Sequence, residues 1–291
     1  MTTRFETIVV GIDTAELSHA VLDWAVAAAR VRNVPLRVVH ALDTTPVLEP
    51  VRLAGGYAWP TVPVPSLRAA AEEALCHAAS YARSLEPALA VTTEVREGSP
   101  VAVLLGAARQ HDLIAIGSRQ LGAVRSALFG STGIGLLRAG HAPFVVVRGS
   151  RPVAPDAPVV VGVSPSEGYG EVLATAFEHA ATHDLPLRAV MCWEPFFYAP
   201  HERVRSRDQS GYADAERWLA EALAGRQETY PDVKVERALL FDYPTVALVD
   251  ESVRAALVVV GVRRGRPARS FGCVAAGVLH HAASPVLVVP R

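Results

Sequence analysis

The chain is expected to fold as two tandem α/β domains, each a doubly wound, five-stranded parallel sheet flanked by helices. Three observations predict this. The 291 residues contain the same ordered set of segments twice. Within each copy, short β-branched runs alternate with stretches of helical spacing. The short runs are apolar without alternation, as strands are when helices cover both faces of a parallel sheet.

The duplication is read first, because it fixes the architecture. Thr7 to Asp13 reads TIVVGID and Val159 to Ser164 reads VVVGVS, so Gly11 and Gly162 correspond, 151 residues apart. NVPLRVVHA from Asn33 matches DLPLRAVMC from Asp184, with Pro35 and Pro186 at the same offset. GSPVAVLL matches DYPTVALV, and DLIAIGSR matches ALVVVGVR; Pro100 and Pro244, like Gly117 and Gly261, are 144 apart. HAPFVVVR matches ASPVLVVP, with Pro143 and Pro285 offset by 142. The offset changes only in connections, where insertions and deletions are tolerated.

In order along the first copy, strands are expected over Thr7–Asp13, Leu36–Leu42, Val91–Arg96, Leu113–Gly117 and Phe144–Arg148, all apolar on both faces. Between the first two, Ala20, Trp24, Ala27, Ala28 and Val31 recur at helical spacing and predict a core stripe with Trp24 inside. A βαβ succession implies right-handed crossovers. Long connections follow the second strand of each copy: Asp43 to Pro65, rich in proline, and Glu194 to Gly211, carrying Phe196, Phe197 and Tyr198. Residues 1–148 make the first domain. Gly149 to Ala157 (GSRPVAPDA) is a linker of turn formers, and 158–291 make the second domain.

Composition narrows the function. The formal charge is -1, from 28 basic and 29 acidic residues, which argues against coating nucleic acid or an anionic membrane. Cys76, Cys192 and Cys273 are far apart and odd in number, so neither a disulfide framework nor a CxxC metal site is indicated. The first residues lack the apolar core of a signal peptide, and no run is long enough to span a bilayer. A cytoplasmic setting is the expectation.

Ligands of open parallel sheets bind outside the carboxyl ends of the strands, where strand order reverses. The first strand ends at Asp13 and the fourth at Gly117, so their ends should flank one crevice. After Gly117 runs SRQLGAVRSALFGST, to Thr132, and then a helix. Gly117, Gly122 and Gly130 permit close backbone approach. Ser131 and Thr132 can cap the helix, whose N-terminal amides favour a phosphate. Asp13 can hold a ribose hydroxyl, a base edge or a phosphate-bound metal. Gly130-Ser131 is equally an ordinary helix start. The loop is no P-loop, since Ala123 stands where Lys is needed, and its glycines have the wrong order for a dinucleotide fingerprint. No HExxH or GxSxG is present, and adjacent Glu72 and Glu73 make a poor catalytic pair. His40 reads as a packed strand residue beside the crevice, and His280 and His281 as a helix-end feature.

These residues resemble the universal stress protein family, over nearly the whole chain. Members have an Asp ending the first strand, as VGID does here, and Gly-x2-Gly-x9-Gly-Ser/Thr after the fourth. Gly117, Gln120, Gly130 and Ser131 hold those positions, so the spacing is kept and the second glycine is not. The run Leu219 to Val233 is similar to that of actinobacterial tandem members. The resemblance implies an adenine-nucleotide-binding fold of flavodoxin-like strand order. It implies that Gly11 and Asp13 border ATP and that Ala41 contacts adenine through its backbone. Gly117, Ser118, Arg119, Gln120 and Gly122, with Gly130, Ser131 and Thr132, would then cradle the phosphates, Asp13 reaching any Mg. It implies a homodimer through the apolar last strands, Phe144 to Val147 and Val286 to Val289, with the two halves packed together, and a regulatory protein partner.

The second copy departs further. Ser164 replaces Asp13, the loop after Gly261 is two residues shorter, and Cys273 takes the hydroxyl position. Arg263, Arg264, Arg266 and Arg269 crowd that loop, either to hold an anion by charge or as a solvated basic loop. The leading expectation is therefore an ATP-binding regulator with its site in the first half and at most slow hydrolysis. The alternatives are an interaction module of the same fold without nucleotide, and an adenylyl-handling enzyme.

Overall fold

The computed structural model describes residues 5–13, 19–44, 64–109, 111–118, 131–139, 142–148, 154–166, 168–192, 209–263 and 273–291. The chain divides into two units, Phe5–Ser150 and Arg151–Arg291. The first contains β1 (Thr7–Ile12), α1 (His19–Arg32), β2 (Leu36–Leu42), α2 (Val64–Leu85), β3 (Val91–Glu97), α3 (Pro100–Ala107), β4 (Asp112–Gly117), α4 (Ser131–Ala139) and β5 (Phe144–Val147). The second contains β6 (Val159–Val163), α5 (Tyr169–Thr182), β7 (Leu187–Cys192), α6 (Gln209–Thr229), β8 (Val235–Leu240), α7 (Pro244–Ser252), β9 (Leu257–Val262), α8 (Cys273–His281) and β10 (Val286–Pro290). The long connections expected after β2 and β7, with their aromatic residues, fall largely outside the described residues.

Each unit is a parallel sheet, ordered β3-β2-β1-β4-β5 in the first and β8-β7-β6-β9-β10 in the second. The α/β class is as expected; the strand order is not flavodoxin-like, in which the third strand lies between the first and fourth. The reason lies in β3. Its sequence, VTTEVRE, leaves Thr92, Thr93 and Glu97 exposed. A central place would bury those polar groups on both faces, so β3 belongs at the edge. The reading of this strand as apolar on both faces is corrected with it. In contrast, β4 (DLIAIG) is buried over its first five residues, as a central strand must be.

Helix α1 packs with a different face from the one expected. Val21, Leu22, Ala25, Val26, Ala28 and Ala29 are buried, whereas Trp24 is half-buried and Ala27 and Val31 are exposed. The two candidate stripes are one residue apart, a rotation of about 100°. On so alanine-rich a helix both qualify by spacing, and the branched residues Val21, Leu22 and Val26 take the sheet contact.

Both α1 and α5 end in the same closure. Asn33 (φ 52°) and Asp184 (φ 53°) are left-handed at equivalent positions. The amides of Asn33 and Val34 donate to Arg30 and Ala29, and those of Asp184 and Leu185 to Ala181 and Ala180. This is the Schellman arrangement, which satisfies the last helical carbonyls. It turns the chain into Pro35 and Pro186, and so into the second strand of each unit. Helices α3 and α7 begin at the matched prolines, a position where no amide is lost. Ser99 caps α3, its hydroxyl accepting from the Ala102 amide at 3.4 Å.

Close contacts at glycine recur in both units. A Cβ on Gly11 would stand 3.0 Å from Leu104 Cδ2, and one on Gly162 would stand 2.9 Å from Leu248 Cδ1. A Cβ on Gly135 would overlap Val101 Cγ2, and one on Gly277 would stand 2.5 Å from Thr245 Cγ2. The first pair seats α3 or α7 on the first strand of its unit. The second lets α4 or α8 approach that same helix closely. No helix among the described residues is long and apolar enough to cross a membrane.

Candidate functional site

In the first unit, β1 pairs with β2 on one side and β4 on the other, so the reversal of strand order lies at β1. Ile12 is level with His40, and Gly11 with Ile116. Asp13, Ala41 and Gly117 therefore finish three neighbouring strands at one end of the sheet. Asp13 is half-buried, just beyond β1. His40 is buried, and its Nδ1–H donates to the Ile12 carbonyl at 3.0 Å. That bond ties the end of β2 to the residue preceding Asp13 and fixes the Nδ1–H tautomer. His40 is thus a packed strand residue that also holds the crevice rim in shape.

Helix α4 returns from the end of β4 to the start of β5, so it runs antiparallel to the strands. Its N-terminus, Ser131 and Thr132, lies at the sheet end where Asp13, Ala41 and Gly117 converge. These are its first helical residues, with Ser131 exposed. The amides of a first turn have no partner inside the helix, and the helix dipole makes that end positive. Arg119, Gln120, Gly122 and Gly130 lie outside the described residues.

Two expected roles are qualified by geometry. The Ser118 amide donates to the Val147 carbonyl at 2.9 Å. It continues the β4–β5 ladder, so this donor is engaged by the sheet and any phosphate cradle must begin after it. Gly11, expected beside the ligand, is also a packing glycine under Leu104. Its duplicate Gly162, under Leu248, shows that packing alone accounts for a glycine at this position.

The second unit has a crevice at the same sheet end, with a cavity of about 200 Å³. Gly162, Ser164, Leu248, Gly261, Val274 and Arg291 are among its lining residues. The exposed Ser164 stands where the first unit has Asp13, and Met191 where it has His40. Ser164 Oγ is 3.0 Å from Ser166 Oγ. The side chain of Cys273, and all of Arg264, Arg266, Arg269 and Gly272, lie outside the described residues. Arg291 enters this crevice from the residue after β10, and its guanidinium donates to Ser166 Oγ. Burial, and secondarily the charge of Arg263, hold its pKa below the ordinary arginine range. Sequence reasoning missed Arg291. The available signal was its register, a cation one step past an apolar last strand and beside the end of β9.

Among the described residues no cluster of three or more His, Cys, Asp or Glu side chains could hold a metal ion. Cys76 is exposed and Cys192 half-buried.

The universal stress protein family model matches the chain twice, over residues 4–148 and 157–290. The chain belongs to this family. A universal stress protein of Mycobacterium bovis is 33% identical over 295 residues, covering 97% of this chain and 96% of its own. Another from that organism is 34% identical over 304 residues, covering 97% and 94%. Among solved structures, a universal stress protein from Archaeoglobus fulgidus superposes with a TM-score of 0.74 at 19% identity, covering 98% of each chain. At that identity the likeness concerns the fold, and it extends over both universal stress protein repeats.

Proposed function

We propose that the first universal stress protein repeat binds ATP at the ends of β1, β2 and β4, and that the chain acts through nucleotide-linked conformation or partner binding rather than turnover. The convergence of Asp13, Ala41 and Gly117 beside the N-terminus of α4 carries this reading. A carboxylate suits ribose hydroxyls, a strand-end backbone suits the edge of adenine, and helix amides suit phosphate. One carboxylate with no further ligand cluster among the described residues fits Mg carried in by ATP, because Mg binds mainly through phosphate oxygens and water. Asp13 would reach such a metal, which would screen phosphate charge.

The site is proposed for the first repeat alone. Ser164 offers a neutral hydroxyl where Asp13 offers a carboxylate, and Cys273 is a weak donor where Ser131 has a hydroxyl. The second loop is two residues shorter, and Pro267 removes one amide. Asp13→Ala and Gly130→Val are expected to weaken ATP by at least about tenfold. Ser164→Ala and Gly272→Ala should leave it within about twofold. Calorimetry on the four variants decides, and two equivalent sites per chain would overturn the asymmetry. Function as a cytoplasmic stress-response regulator, homodimeric and paired with a regulatory protein, belongs to the same proposal. Hydrolysis at rates typical of ATP-consuming enzymes, on the order of 10 per second, would contradict it.

The engaged Ser118 amide favours a second reading, an interaction module of the same fold without nucleotide. Mass spectrometry of nucleotide released from purified protein separates the two. Copurified ATP supports the first. An empty protein that gives no heat with ATP supports the second.

A further inference from the structure

The second unit's crevice holds an arginine built into its walls. The Arg291 amide donates to the Val262 carbonyl at 2.8 Å, fixing the residue beside the end of β9. The side chain then crosses two glycines. A Cβ on Gly168 would stand 2.6 Å from Arg291 Cβ, and one on Gly261 would stand 3.2 Å from its Cδ. Gly168 is also left-handed at φ 79° and precedes α5 without a side-chain cap. The Arg291 stem therefore fits only because neither position carries a side chain. Its guanidinium donates to Ser166 Oγ, which neighbours Ser164 Oγ at 3.0 Å. Among the described residues its Nε is buried with no hydrogen-bond partner.

No carboxylate is paired with Arg291 among the described residues. A second cation lies beside it: Pro290 is level with Val262, so the exposed Arg263, the residue after β9, neighbours Arg291. Two like charges at one mouth repel, and each is better solvated by an anion between them. We propose that Arg291 and Arg263, with the Ser164 and Ser166 hydroxyls, form a site for a small tetrahedral oxyanion of the phosphate class. The guanidinium fork offers paired donors to adjacent oxyanion atoms, and the hydroxyls can donate to others. Apolar walls, Val172 and Leu248 among them, lower the local dielectric and strengthen these bonds. The arginine stem occupies the space above Gly261, and the cavity of about 200 Å³ is below the range of about 300–1,000 Å³ usual for drug-sized ligands. The fit is to a phosphoryl group, either free phosphate or the terminal group of a larger molecule. Charge here replaces the glycine amides of the first unit's loop.

The test is calorimetric titration of the full chain with inorganic phosphate, at ionic strength held constant with chloride. One saturable site per chain is expected. Arg291→Ala should weaken it at least about tenfold, and Arg291→Lys should restore only part. Arg263→Ala changes an exposed side chain, so its expected severalfold loss stands even if Arg291→Ala unfolds the unit. ATP that competes with phosphate for this site identifies a nucleotide as the source of the phosphoryl group; ATP that does not compete identifies the free anion. Absence of saturable phosphate binding, or binding unchanged in both arginine variants, overturns the proposal. It fails separately from the ATP reading, which depends on Asp13.

Discussion

Asn33 and Asp184 occupy left-handed backbone at the two helix closures, where glycine is the usual residue. Asp184→Gly is expected to raise the stability of the second unit by about 0.5 kcal/mol, and Asp184→Val to lower it by about 1–2 kcal/mol. Urea denaturation reads both, and equal effects of Gly and Val would contradict the backbone argument. Gly135 offers the opposite case. Alanine there gains up to about 1 kcal/mol of helix propensity but drives a methyl group into Val101, whose branched side chain cannot swing away. A net loss of about 1–2 kcal/mol is expected from overpacking, partly restored when Val101→Ala is added. The sequence pattern exposes Gly135 as a glycine but not its purpose. In isolation it reads as one more residue of a phosphate loop. Its duplicate Gly277, against Thr245, assigns both to helix contact. Asp13 and Gly117 were legible because each ends an apolar strand. Arg291 was not, since its contacts come from Ser166, Gly168 and Gly261, segments that only the folded sheet brings together.

Each unit fastens its second strand to the helix beside it with an arginine. Arg37 of β2 donates to the Ala107 carbonyl at the end of α3, at 2.8 Å. Arg188 of β7 reaches the equivalent residue of α7, Glu251, through Nε at 2.9 Å and Nη2 at 3.0 Å, and also bonds Glu236 of β8. These contacts raise the Arg188 pKa, chiefly through the Glu251 hydrogen bond, so the guanidinium stays charged at any ordinary pH. Arg188→Met is expected to destabilise the second unit by about 1–2 kcal/mol after allowance for partial exposure, because it leaves a half-buried carboxylate without its fork. Arg188→Lys should recover less than half, since an ammonium cannot make the paired contact. Equal stability of all three proteins in urea would remove the pair from the account. At this scale periodicity located the strands closely, and it erred on their order and on the face of α1. Strand order depends on which strand tolerates an edge, and β3 announces that through exposed Thr92, Thr93 and Glu97. The face of α1 depends on side-chain volume against the sheet, a quantity that spacing does not measure.

At the scale of the whole molecule the duplication was the most legible feature, because order and spacing of matched segments persist over both halves. The proposed dimer is checked by light scattering at micromolar concentration, with a mass of twice 30.9 kDa expected and the single-chain mass contradicting it. The candidate site was half legible. Its strand-end residues stand where the pattern put them, whereas the donors of its central loop depend on backbone geometry between Ser118 and Ser131. The matched glycine contacts bear on how such a doubled chain can diverge. Gly11 under Leu104 and Gly162 under Leu248 hold the same joint in two copies, as do Gly135 and Gly277. Those joints are helix-to-strand and helix-to-helix contacts, made outside the loop that follows the fourth strand of each repeat. A copy can therefore exchange an acidic strand end for serine, shorten its loop and gather arginines while its framework stays intact. Inheritance of the scaffold and divergence of the strand-end and loop residues are separable in this chain, so one repeat can change its crevice while the other does not.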